Sequence, residues 1–185
     1  ADGDINPDDQ HLTLREAIAY VNLLEEPGTQ ELEQHITGTP GRFEEIKFAS
    51  GIDSTITLTH GALIVNKRVK ITGPEGRITL VKGLNSTVTE GLLFTKPSST
   101  TFDLAPSSGF LYDTGVSNLG ISGFDVGIKL QDLQSTGFNM NWPFRLTNNK
   151  ITNVISGIQM ENADVPFQFA TNYITGRSSS SGYGI

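Results

Sequence analysis

Three segments of this chain repeat one short phrase: LGISGFDVGIKL (119–130), NKITNVISGIQM (149–160) and NYITGRSSSSGYGI (172–185). Ile121 and Ile128 stand seven residues apart, as do Ile151 and Ile158. Ile174 and Ile185 stand eleven apart, the excess of four matching the run Ser178 to Ser181. The phrases start 30 and then 23 residues apart (121 to 151, then 151 to 174). A period in this range is that of solenoid coils. One coil has no way to bury its own apolar row, but stacked coils join single isoleucines into a continuous internal ladder. Successive coils then lie about 4.8 Å apart, the spacing of hydrogen-bonded strands.

Alternation within the phrases assigns the two faces. Ile128 and Leu130 flank Lys129, and Ile158 and Met160 flank Gln159, so the apolar residues point inward. Lys129 then stacks beside Gln159 outside, and Gln131 beside Glu161. Asn149 and Asn172 each precede their isoleucine by two residues. Asparagines stacked at a turn can bond one another's amides and tolerate left-handed backbone. Leu119 takes that place in the first phrase, which keeps any such ladder short.

Upstream, the same grammar continues in short runs (Ile46–Phe48, Ile56–Leu58, Leu63–Val65, Val69–Ile71 and Ile78–Val81) punctuated by Gly, Pro, Asn and Asp. Residues 84–113 are less regular and read as an insertion or an elaborated coil. The segment TLREAIAYVNLLEE, Thr13 to Glu26, differs from everything else. Thr13 and Glu16 have the spacing of a capping box. Leu14, Ala17, Ile18, Val21 and Leu24 form one apolar face at helical spacing, and Pro27-Gly28 supplies the stop. A lone amphipathic helix ahead of a solenoid is expected to cover the open apolar end and edge of the first coil. The organisation expected is one domain over 1–185: an N-terminal cap over 1–45 with its helix at 13–26, then coils over 46–185.

Thr13-Leu14-Arg15-Glu16-Ala17, with the later Ile71-Thr72-Gly73-Pro74, resembles the N-terminal module of the exported bacterial proteins called CSLREA-domain proteins, which include autotransporter-like adhesins. The resemblance covers residues 1–83 and extends to the later coils only in style. It implies an all-β fold, a right-handed parallel β-helix with an N-terminal capping helix, on a large secreted or surface-anchored protein. The family often has cysteines just before the helix and a few residues upstream, where this chain has Leu12 and Ile5. An apolar contact in place of that bridge is expected to pin the N-terminal arm.

Composition limits the functions available. A net charge of −7 and a pI near 4.9 argue against nucleic acid or anionic lipid as the main partner. The average field also repels acidic polysaccharides, although a local basic groove could overcome it. The absence of cysteine excludes disulfides, thiolate metal sites and cysteine nucleophiles. No apolar run approaches the length of a membrane span, so insertion into a membrane by this segment is not expected. The start at Ala1 and the finish in mid-pattern at GYGI suggest a piece of a longer protein, with further coils after residue 185.

Most chemistry-bearing residues have a plain structural reading. DGDINPDDQ, Asp2 to Gln10, places oxygens at alternate positions like a calcium loop, but Pro7 and Thr13 stand where the turn glycine and bidentate glutamate belong. It reads as a solvated acidic arm, and neither a metal nor a cofactor is expected. GPEGR, Gly73 to Arg77, lacks the Gly-Lys-Ser/Thr ending of a phosphate loop and reads as a turn. His11, His35 and His60 match no ligand spacing. Arg15 is expected to tie the helix to the first coil through a carboxylate or carbonyls.

β-Helix enzymes cleave polysaccharides on an outer strand face, with an Arg or Lys base in lyases and converging carboxylates in hydrolases. Asp125, Lys129, Asp132, Arg145, Glu161, Asp164 and Arg177 are the polar groups available in the repeats, and no carboxylate pair recurs on adjacent coils. No catalytic residue is therefore assigned. NMNWPF, Asn139 to Phe144, holds the sole tryptophan. Trp142 and Phe144 either cap a local core or form a platform for sugar rings or a protein partner. With Lys129 and Gln159 they are the candidate binding residues. The leading expectation is a non-catalytic adhesin or stalk at the bacterial cell surface or outside the cell, binding a glycan or a cell-surface protein. A polysaccharide lyase or glycoside hydrolase is the rival, and a module that initiates folding during secretion is a third reading.

Overall fold

The computed structural model describes residues 12–23, 44–48, 51, 55–66, 69–75, 77–95, 114–133 and 144–178. The acidic arm, the Pro27-Gly28 stop, Trp142, His11, His35 and Ile185 lie outside them. Helix α1 (Leu14–Leu23) comes first. Strands then follow in groups of three: β1 (Glu44–Lys47), β2 (Thr55–Leu58) and β3 (Leu63–Val65); β4 (Val69–Thr72), β5 (Ile78–Lys82) and β6 (Glu90–Thr95). Next come β7 (Gly115–Ser117), β8 (Leu119–Ser122) and β9 (Val126–Gln131), then β10 (Phe144–Thr147), β11 (Lys150–Val154) and β12 (Ser156–Glu161). The last described pair is β13 (Phe167–Ala170) and β14 (Tyr173–Gly176).

The described residues are mostly β, and the chain visits three parallel sheets in rotation. The first sheet has the order β1-β4-β7-β10-β13, the second β2-β5-β8-β11-β14, and the third β3-β6-β9-β12. The register is the one that the repeated phrase implies. Ile151 pairs with Ile121 on one side and Ile174 on the other. Ile158 pairs with Ile128, Gln159 with Lys129, and Glu161 with Gln131. Upstream, Ile56 pairs with Leu80 and Leu80 with Ile121, so the ladder has five rungs. Leu80, Ile121 and Ile151 are wholly buried, while Ile56 and Ile174 at the two ends are only partly so. Burial here is a collective property, because each isoleucine is covered by the coils on either side of it. Met160 shows the consequence. It occupies an inward register position opposite the wholly buried Leu130, yet it is 44% exposed, β12 being the last strand of its sheet among the described residues.

The expected irregular stretch over 84–113 contains a strand. Residues 90–95 form β6, in register with β3 and β9, and Leu92 and Phe94 lie in the core. Leu93 points outward, beside Ile64 and Lys129. That outward leucine hides the alternation, so the run Leu92-Leu93-Phe94 does not announce a strand.

The corner between the first and second sheets is built the same way in four successive turns. Arg77, Asn118, Asn148 and Thr171 occupy it, and all four have positive φ, between 53° and 58°. Two asparagine stacks reinforce it. On the outside, Asn148 Nδ2 donates to Asn118 Oδ1 at 2.7 Å. On the inside, Asn149 Nδ2 donates to Asn172 Oδ1 at 2.9 Å, and Asn149 Oδ1 accepts from the Leu119 amide at 3.0 Å. The inner stack ends at Leu119, as expected. The left-handed residues, however, are the outer asparagines, one position before the inner pair.

Helix α1 packs against β3 and β1. The Thr13 amide donates to Glu16 Oε2 at 2.7 Å and the Glu16 amide to Thr13 Oγ1 at 3.2 Å, which completes the capping box. Leu14, Ile18 and Val21 are buried, joined by Tyr20. Arg15 donates to the carbonyls of Gly61 (2.8 Å) and Ala62 (3.2 Å). Asn22 completes the edge: Nδ2 donates to the Ile64 carbonyl at 2.7 Å and Oδ1 accepts from the Asn66 amide at 2.9 Å. A residue of one more parallel strand, opposite Val65, would make the same two bonds. The Asn22 amide thus stands in for a missing neighbour on the edge of β3 and blunts a site for unwanted strand pairing. Leu12 departs from expectation. It is 55% exposed, so it does not provide the buried apolar contact foreseen for the arm.

Candidate functional site

Phe144 does not form an exposed platform. It is 3% exposed, with its ring 4.7 Å from that of Phe94 in an edge-to-face contact and 6.1 Å from that of Phe167 in a stacked one. As the first residue of β10 it alternates with Arg145, which sends the aromatic ring inward. Lys129 and Gln159 do sit side by side on the outer face of the third sheet. Lys129 is engaged there, with Nζ 2.8 Å from Glu161 Oε2 and 15% of its side chain exposed. Of the other polar groups in the repeats, Asp125 and Arg177 come together at 3.2 Å, and Arg177 also donates to the carbonyls of Gly123 and Phe124. Asp132 accepts from Asn162 at 2.7 Å. Asn162 thus ties neighbouring corners together, whereas Arg177 reaches past the β11 corner to the one after β8.

A concave surface lies elsewhere, on the outer face of the first sheet. Here one register row runs Glu45, Lys70, Gly115, Arg145, Gln168, and a second runs Lys47, Thr72, Ser117, Thr147, Ala170. Alternation explains why they face out, since Ile71, Val116 and Leu146 between them are in the core. Gly115 leaves a gap in the first row, and an open groove of ≈ 290 Å³ forms there, lined by Lys70, Ser117, Arg145, Thr147 and Gln168 among others. No other residue can fill that gap. Gly115 has φ 157°, and a Cβ on it would lie 1.9 Å from the Arg145 carbonyl oxygen. Lys70 and Arg145 flank the glycine on neighbouring strands, their backbones about 10 Å apart at ordinary strand spacing.

Glu45 stands beside Lys70 at the start of the first row. It accepts from Thr72 Oγ1 at 2.8 Å and lies 3.0 Å from Lys47 Nζ and 3.4 Å from Lys70 Nζ. Partial burial pushes its carboxyl up, but the hydrogen bonds from Lys47 and Thr72 and the nearby Lys70 and Lys47 charges outweigh this. Its pKa is held below the ordinary 4.5. Ser117 Oγ donates to Thr72 Oγ1 at 3.3 Å, extending a row of hydroxyls along the groove. The arrangement is a cationic, hydroxyl-lined surface suited to an anionic, polar ligand.

Sequence reasoning named Arg145 only as one available polar group and passed over Lys70, Gly115, Ser117, Thr147 and Gln168. A signal was present. Val69-Lys70-Ile71-Thr72, Phe144-Arg145-Leu146-Thr147 and Phe167-Gln168-Phe169-Ala170 are a second repeated phrase, apolar–polar–apolar–small, one phrase for each turn. It was masked because the corresponding strand of the third turn, Gly115-Val116-Ser117, begins on the glycine. Among the described residues, no group of three or more His, Cys, Asp or Glu side chains is placed to hold a metal ion. Comparison of the chain with protein-family models, with curated proteins and with solved structures found no match.

Proposed function

We propose that this chain is part of a right-handed parallel β-helix in a large secreted or cell-surface bacterial protein. It acts without catalysis, as a stalk or adhesive element that presents binding surface. The observation that carries the reading is the parallel register of three sheets, which shifts between Ile151 and Val154 where β11 meets β14, with α1 packed at one end. Right-handedness follows from the general preference of crossovers between parallel strands. Stacked in-register turns make a stiff rod, because bending it would stretch the hydrogen bonds of three sheets at once. The similarity of Thr13 to Ala17 and Ile71 to Pro74 to the exported CSLREA-domain proteins supports the extracellular setting. The partner of such a rod is a glycan or a cell-surface protein, and more coils following residue 185 would lengthen it.

One observation favours the rival reading of a polysaccharide lyase: Lys70 and Arg145 flank the same groove, as groups that neutralise a uronate would. A single experiment separates the two. The protein is incubated with pectin, alginate and host glycans, and unsaturated products and reducing ends are measured alongside glycan and cell binding. Binding without product supports presentation, and steady product release overturns it.

A further inference from the structure

We infer that the groove over Gly115 is a binding site for an acidic glycan, a polysaccharide carrying carboxylate or sulfate groups. This deepens the presentation reading and rests on it, since it names the face and the ligand class. Two cations, Lys70 and Arg145, stand on either side of a bare backbone floor. The planar fork of Arg145 matches a carboxylate or sulfate in two-point geometry, while Lys70 offers a compact point charge. Between and beside them, Ser117, Thr147 and Gln168 present hydroxyls and an amide, which suit the hydroxyls of a sugar ring.

The lining also argues against other anions. Among the described residues of the lining, no aromatic side chain is placed to stack a nucleobase, as single-stranded nucleic acid sites require. The groove matters because the rest of the molecule opposes it: a net charge of −7 repels a polyanion everywhere else. Beside the groove, Glu45 is shared between Lys70 and Lys47, at 3.4 and 3.0 Å. The rows run across strands, along the direction in which turns stack. A linear polymer laid there would meet Lys70, then Gly115, then Arg145, then Gln168.

The test titrates the full chain by calorimetry with oligogalacturonate, with heparin-derived oligosaccharides and with neutral dextran oligosaccharides. Binding of either acidic ligand but not of dextran is expected, and the stronger of the two identifies carboxylate or sulfate. Lys70→Ala and Arg145→Gln should each weaken binding about tenfold, the scale of one lost charge-assisted contact. Thr147→Glu adds a charge to an outward position without removing a cation and should weaken binding as much. Gln168→Arg should strengthen it. Lys150→Ala, on the outer face of the second sheet, should change nothing. Thermal melts of each variant verify folding. Failure of both acidic ligands to bind overturns the inference, as does binding that Arg145→Gln and Thr147→Glu leave intact. Cell binding that persists without acidic-glycan binding defeats the groove but leaves presentation standing. Product release that depends on Lys70 and Arg145 keeps the groove and defeats the non-catalytic reading.

Discussion

Asn149 is 1% exposed, and its side chain makes three hydrogen bonds at once. Oδ1 accepts from the Leu119 amide at 3.0 Å, and Nδ2 donates to the Val116 carbonyl and to Asn172 Oδ1, both at 2.9 Å. Asn149→Ala leaves the Leu119 amide and the Val116 carbonyl without these partners, in a corner closed to water. Three net hydrogen bonds of about 1 kcal/mol, with the desolvation cost of the orphaned groups, give a loss of about 2–4 kcal/mol. For a chain of this size that lowers the melting temperature by about 5–15 °C. Asn149→Asp keeps the shape but turns two donated bonds into contacts between acceptors, so it should cost at least as much near neutral pH. Asn172→Ala, at a partly exposed position in the last described turn, should cost less. Urea denaturation followed by circular dichroism gives all three values. A loss below about 0.5 kcal/mol for Asn149→Ala, the range of ordinary surface substitutions, would refute the view that the inner asparagine stack holds this corner.

Three further outcomes follow from particular contacts. Arg15→Ala and Asn22→Ala each expose backbone groups of the first coil's edge; each should cost about 1–3 kcal/mol, and hydrogen exchange at Asn66 should quicken in Asn22→Ala. Glu45 has a lowered pKa, so its contribution is complete above 4.5 and is lost as pH falls through its folded value. Glu45→Gln should therefore flatten the stability profile on the acid side, and an unchanged profile would show that its contacts do not stabilise the fold. Leu12→Ala should shift stability by no more than about 0.5 kcal/mol; a loss of several kcal/mol would restore the pinned-arm idea that the exposed Leu12 argues against.

How much of this was legible depended on whether a residue's role was periodic. The isoleucine ladder was readable because Ile121, Ile151 and Ile174 recur within one phrase, and their register partners agree with that alignment. The capping box was readable because both its members lie within one turn of chain. Arg15 could be assigned to the first coil by its chemistry, a rigid fork near strand carbonyls. Asn22 could not, because its role depends on the edge of β3, more than forty residues away. β6 was lost to the outward Leu93. Phe144 was left between core and platform because one aromatic beside Trp142 and Pro143 suggests a loop, and the strand it begins turns its ring into the core.

The sequence by itself determined the repeat, the inward and outward faces of each phrase and the helix that closes the first turn, because each of these is set by spacing along the chain. Only the tertiary structure decided the groove. Lys70, Gly115 and Arg145 stand 45 and 30 residues apart (70 to 115, then 115 to 145), and they become neighbours through strand pairing alone. Intervals interrupted by residues 96–113 and 134–143 keep no fixed period, so that meeting is set by hydrogen-bond register, which no count along the chain reveals.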